Sequence, residues 1–254
     1  LIASKWDIQH VLRLMVSSAT FRQSSNGSPE DYATDPENRL LSRGPRFRMG
    51  AEMLRDNALA ISGLLVDKVG GPSVKPYQPA GQWKEVTYDS DSEYHPDSGE
   101  SLYRRSLYTF WKRQSPPPNM LVFDATTRET CSVQRSRTNT PLQALVLMND
   151  PVFVEASRKF AERLMSLPNS DSAMRVQLGF RMATARSATA DEVAILRDIF
   201  NTQFAEFAQK RDSAESLLDV GDSERDKSFD TAELAAWTTV ASIILSLDET
   251  ITRQ

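Results

Sequence analysis

One cysteine and two histidines are all that 254 residues contain of the residue types most used for metals, thioethers and nucleophilic relays. A lone Cys131 excludes an intrachain disulfide. Covalent haem attachment needs two thiols and a histidine in a Cys-x-x-Cys-His arrangement, so this chain holds no haem of that type. A zinc site of the usual kind draws several His, Cys or carboxylate ligands. His10 and His95 form no helical His pair, and no metal site is expected. A serine hydrolase triad would have to use one of them, and there is neither a Gly-x-Ser-x-Gly elbow nor a phosphate-cradling glycine loop. His10 is expected to pack, partly buried, in a first helix, His95 to sit in a loop, and Cys131 to act as a small buried hydrophobe. Long apolar runs are missing too. Those at residues 142–148 and 240–247 are far short of a membrane span, and none is expected.

A basic surplus is also missing. The net charge of −4 argues against a nucleic-acid partner, yet the charge is unevenly spread. Residues 103–139 carry Arg104, Arg105, Lys112, Arg113, Arg128, Arg135 and Arg137 against two acids, Asp124 and Glu129. From Asp191 onward there are fourteen acids against six basic residues. One stretch is suited to anions and the other is not.

What is present reads as helix. Ser4 starts a first segment in which Ile8, Val11, Leu12, Met15 and Val16 recur at helical spacing. Asp35-Pro36 has the form of a cap followed by proline at the first helical position. A second helix is expected over 47–62, stopped by Gly63, with Arg48, Glu52, Arg55 and Asp56 as a ladder of ion pairs. Three prolines keep residues 70–79 extended, and 89–100 reads as an acidic surface loop. Tyr103, Leu107, Phe110 and Trp111 have helical spacing, with a strand also open. Thr140-Pro141-Leu142-Gln143 and Asp150-Pro151 each open a helix, the second reaching about Met165. Thr189 to Glu192 forms a capping box before a helix through Phe204, residues 221–230 a charged connector, and Leu234 to Leu247 a last helix. The expected fold is mainly α, an irregular helical bundle with long Pro-rich extended loops. It is read as a single domain over 1–254, with a subdivision possible near 168–190.

Several motifs occur in order: Phe21-Arg22-Gln23-Ser24-Ser25, Asp35-Pro36-Glu37-Asn38-Arg39, the block 70–79 (Gly-Gly-Pro-Ser-Val-Lys-Pro-Tyr-Gln-Pro), the block 103–113 beginning Tyr103-Arg104-Arg105, Arg135-Ser136-Arg137-Thr138-Asn139-Thr140-Pro141, and Leu147-Met148-Asn149-Asp150-Pro151. This series resembles the planctomycete-specific domain of unknown function at the C-terminal end of cytochrome c-type multidomain proteins. The resemblance implies an exported, periplasmic or cell-surface parent, with haem only in an upstream domain and the upstream domains as partners. The start at Leu1, without a leader, fits a piece of such a parent. The family brings no catalytic residues to transfer.

The candidate site is therefore built from residue chemistry. Arginine forks match carboxylate, sulfate or phosphate. Arg104, Arg105, Arg128, Arg135 and Arg137, with Tyr108, Trp111 and Asn139, are candidates to line an anionic-polysaccharide groove, aromatic faces stacking on sugar rings. Against this stands their use as braces for long loops. Asp124 and Glu129 are the candidate pair for a carbohydrate-active enzyme, which needs two carboxylates flanking one bond; the alternative is neutralisation of neighbouring arginines. Asp89, Asp91, Glu93 and Asp97 lack the glycine and terminal glutamate of a calcium loop and read as a solvated acidic loop. The favoured expectation is a noncatalytic interaction or scaffold domain, the alternative a glycan-active enzyme.

Overall fold

The computed structural model describes residues 1–81, 83, 93–168 and 170–253. Among them the fold is mainly α, as its caps and apolar spacing require. Two compact units are present, residues 1–48 with 252–254, and residues 49–251; the stretch 168–190 lies inside the larger one.

The smaller unit contains α1 (Ile8–Ser17), α2 (Pro29–Thr34) and a minimal antiparallel pair, β1 (Phe47–Arg48) with β2 (Thr252–Arg253). Asp7, not Ser4, caps α1, accepting from the His10 N–H at 3.0 Å. The apolar stripe of α1 is present as expected but covers nothing: the helix has no buried residue, and His10 is exposed. Asp35-Pro36 does not open a helix. Ser28-Pro29 does, in a full capping box with Asp31, and Asp35 closes that helix while its carboxylate accepts the N–H groups of Arg39 and Leu40. Both sites pair a capping residue with proline, and the side chain three residues on decides between them: Asp31 reaches back to the Ser28 N–H at 2.8 Å.

The larger unit is built on α3 (Ala51–Ser62), α4 (Pro118–Val122), α5 (Pro141–Asn149), α6 (Pro151–Met165), α7 (Ser172–Thr184), α8 (Ala190–Gln209), α9 (Arg211–Leu218), α10 (Thr231–Ser246) and α11 (Asp248–Ile251). Its axis is α10, packed against α6, α8 and α9. Leu234, Trp237, Val240, Ala241 and Ile244 are fully buried, which is why the 240–247 run is apolar nearly all round. Gly179 on α7 lets that helix close on α10, since a Cβ there would stand 2.9 Å from Ile244 Cδ1. Asp150 caps α6 through the Val152 N–H, and the Thr189–Glu192 box caps α8. Gly63 ends α3 in the left-handed conformation, φ 83°. Helices α7 and α9 have no counterpart in the sequence reading.

Four expectations for this unit are corrected. The helix expected over 47–62 starts at Ala51, because residues 47 and 48 pair as strand. Of the expected ladder, Arg55 and Asp56 stand 3.9 Å apart, but Glu52 pairs instead with Arg135 at 2.7 Å, and the buried Arg55 donates to loop carbonyls. The 103–111 stretch is neither a helix nor a regular strand. It is two short 3₁₀ turns, Gly99–Tyr103 and Ser106–Tyr108, with Arg104 and Thr109 bridging in parallel to Val66 and Val74. Its helical pairing is pre-empted from outside, as Arg55 donates to the carbonyls of Leu102 and Arg104 and Asp56 accepts the Ser106 N–H at 2.7 Å. Cys131 is exposed rather than buried. Among the described residues no helix is long and apolar enough to cross a membrane.

Candidate functional site

The cationic stretch splits into an inward and an outward part. Arg104 is 5% exposed. Its guanidinium donates to the carbonyls of Pro72 (2.8 Å), Lys68 (3.1 Å) and Gly70, and lies 3.9 Å above the Tyr108 ring. The Tyr108 hydroxyl in turn accepts the Gly70 N–H at 2.8 Å. Arg104 and Tyr108 thus brace the glycine-proline segment, and Arg104 also lines a polar cleft of 590 Å³ between residues 66–74 and 96–101. Arg105 is exposed and pairs loosely with Asp56 at 3.9 Å.

The outward part gathers around Trp111. Its indole N–H donates to the Thr127 carbonyl at 3.1 Å, and the Arg128 guanidinium stacks 4.4 Å above the ring. Arg128 adopts φ 65°, a left-handed turn residue, which lets the chain fold back over the indole. Arg135 reaches Glu52 on α3 at 2.7 Å. Half-burial pushes the Glu52 carboxyl up, but the Arg135 hydrogen bond and the charges of Arg135 and Arg128 outweigh it and hold the group below its ordinary range. The same hydrogen bond raises Arg135. Trp111, Arg128, Arg135 and Glu52 therefore form one cluster.

A second node holds the loop itself. The Asp124 carboxylate, at φ 60°, accepts the Thr138 N–H at 2.8 Å and its hydroxyl at 3.0 Å. Gln143 on α5 donates to the Thr138 hydroxyl and to the Val122 carbonyl. Gln143 is thus spent as a loop tie and not on a capping box, and Thr140 makes no side-chain cap. Arg137 and Asn139 flank Thr138 and are exposed, as is Glu129. Of the acidic loop set, Asp89 and Asp91 lie outside the described residues, and Asp97 accepts the Lys75 N–H at 2.8 Å. Among the described residues no group of three or more His, Cys, Asp or Glu side chains is placed to hold a metal.

Two arrangements escaped the sequence reading. Glu155, 1% exposed, accepts from the Tyr103 and Tyr77 hydroxyls (2.8 and 3.1 Å) and from the Ser223 N–H (2.7 Å), with Arg158 at 3.8 Å. Burial, and then this carboxylate, pushes both tyrosines above their usual range. Charges at helical spacing are expected on a solvated face, so nothing in α6 announced an inward one. The other is a cleft beside Asp150. Its sole sequence signal is that the 70–79 and 147–151 motifs both supply its walls.

No curated protein and no solved structure matches the chain. A family model described as PSD1, protein of unknown function (DUF1553), matches residues 1–200, and the chain belongs to that family.

Proposed function

We propose that this is a noncatalytic interaction domain of an exported, cytochrome c-associated planctomycete protein, and that its outward arginines hold an anionic polysaccharide. The observation that carries this reading is the Trp111–Arg128–Arg135 cluster. A guanidinium stacked on an aromatic ring keeps its N–H edge available for bidentate contact with sulfate or carboxylate. The recognition is therefore edge-on and ionic. Sugar stacking on Trp111 is not part of it, because Arg128 already occupies a ring face. The upstream domains of the parent are the other partners on this reading, supported by the uncovered apolar stripe of α1. The carbohydrate-active enzyme alternative has less support, since both Asp124 oxygens already accept from Thr138.

Binding to an immobilised uronate- or sulfate-bearing polysaccharide tests the glycan part. Arg128→Ala is expected to weaken binding by roughly tenfold, the loss of one charge-assisted contact of about 1.4 kcal/mol. The wild-type interaction should also fade with salt. Wild-type binding that is absent, or that survives both Arg128→Ala and Arg135→Ala, removes the polysaccharide.

A further inference from the structure

Of the two arginines that carry the polysaccharide reading, one already holds an anion. Arg135 Nη1 donates to Glu52 Oε2 at 2.7 Å, and the two side chains are 44% and 24% exposed. The contact is single, one guanidinium nitrogen on one carboxylate oxygen, whereas an arginine fork can give an anion two parallel N–H donors. Arg128, stacked on Trp111, adds its charge to the same carboxylate. Glu52 belongs to the first turn of α3, a helix anchored by the buried Leu54, Ala58 and Leu59. Arg135 belongs to the exposed run 127–140. The carboxylate is thus on the anchored side of the pair, and the loop brings the cation to it. That loop is tied at both ends without Glu52, through the Trp111 indole on the Thr127 carbonyl at 3.1 Å and Asp124 on the Thr138 N–H at 2.8 Å.

We infer that Glu52 is a built-in competitor of the anionic ligand, so that a sulfate or carboxylate group engages Arg135 together with Arg128 only by displacing it. The inference rests on the polysaccharide reading and adds the residue that sets how strongly an anion must bind to be held. Displacement is feasible because the pair is partly solvated and single-contact, and such pairs are weak. Its cost is nonetheless felt in affinity. Glu52→Gln takes away the competing charge and the repulsion it exerts on an incoming anion, while keeping the shape of the side chain.

Immobilised dextran sulfate, at one fixed ionic strength, is the probe for the whole chain. Glu52→Gln should bind it about fivefold more tightly than wild type, the loss of one partly exposed ion pair. Its melting temperature should stay within about 3 °C of wild type. Asp198→Asn, at an exposed acid of α8, changes the net charge by the same unit and should leave affinity within about twofold. With Arg135→Ala in place, the gain from Glu52→Gln should also fall below about twofold, since no guanidinium is left to release. Wild type that binds as tightly as Glu52→Gln, or more tightly, overturns this inference and leaves the polysaccharide reading standing. Binding by neither overturns both. A gain shared by Asp198→Asn, or kept in full with Arg135→Ala, marks a general charge effect and overturns the displacement.

Discussion

Helices α1 and α10 present the same kind of sequence signal and opposite outcomes. Both repeat large aliphatic side chains at helical spacing. In α10, Leu234, Val240 and Ile244 are wholly removed from water, and Trp237 lies against Phe200 with ring centroids 4.7 Å apart. In α1, Ile8, Leu12, Met15 and Val16 stay 50–67% exposed. Periodicity says that a helix has an apolar face; it does not say that the same chain covers it. Burial of each such side chain is worth about 1.5–3 kcal/mol, so α10 draws on a stabilising term that α1 lacks, and α1 relies on its Asp7 cap and local hydrogen bonds.

The sharpest way to break this comparison is one substitution made in both places. Ile244→Asp puts an unpaired charge into the core and should cost about 4 kcal/mol or more, seen as loss of the cooperative denaturant transition. Glu155→Ala comes next, at about 3–4 kcal/mol by urea titration. It leaves two tyrosine hydroxyls and the Ser223 N–H without their Glu155 acceptor, and Arg158 with Glu162 as its remaining carboxylate beside the Ser223 oxygens. Gly221→Ala should cost about 2 kcal/mol in the same assay. Gly221 sits at φ 96°, and a Cβ would stand 2.2 Å from Glu155 Cδ, which is held too firmly to yield.

A smaller effect follows from Arg186, which clamps Glu192 at 2.6 Å and Glu249 at 2.6 Å. The Arg186 hydrogen bonds hold the Glu192 carboxyl down to about 2. A carboxyl depressed in the folded state adds stability above its ordinary value of 4.5, and this is lost as pH falls from there toward about 2. With the pair about one-third exposed, the contribution is under about 1 kcal/mol. Arg186→Gln should therefore lower the melting temperature at neutral pH, with the gap to wild type closing in acid. Leu12→Asp completes the series and should move stability by no more than about 0.5 kcal/mol. A loss there matching that of Ile244→Asp would show that the α1 stripe is covered after all.

The candidate site was less legible than the fold. Arg104 and Arg105 are neighbours of identical type, yet one is a buried brace and the other a surface charge. The separation comes from Val66 and Val74 pairing alongside Arg104 and Thr109, contacts some forty residues distant in the chain. Trp111 with Arg128, and Arg135 with Glu52, are likewise long-range meetings that no spacing rule encodes.

By itself the sequence determined where helices begin and stop at Asp150-Pro151, Thr189–Glu192 and Gly63, because capping and left-handed termination are settled within a few residues. It also determined what this chain's own thiols and histidines are too few to build. Only the tertiary structure decided which apolar faces are buried, which arginines turn inward, and that Glu155 sits in the interior. Those outcomes depend on desolvation and on partners supplied by remote segments, and neither is a property of a local stretch of chain.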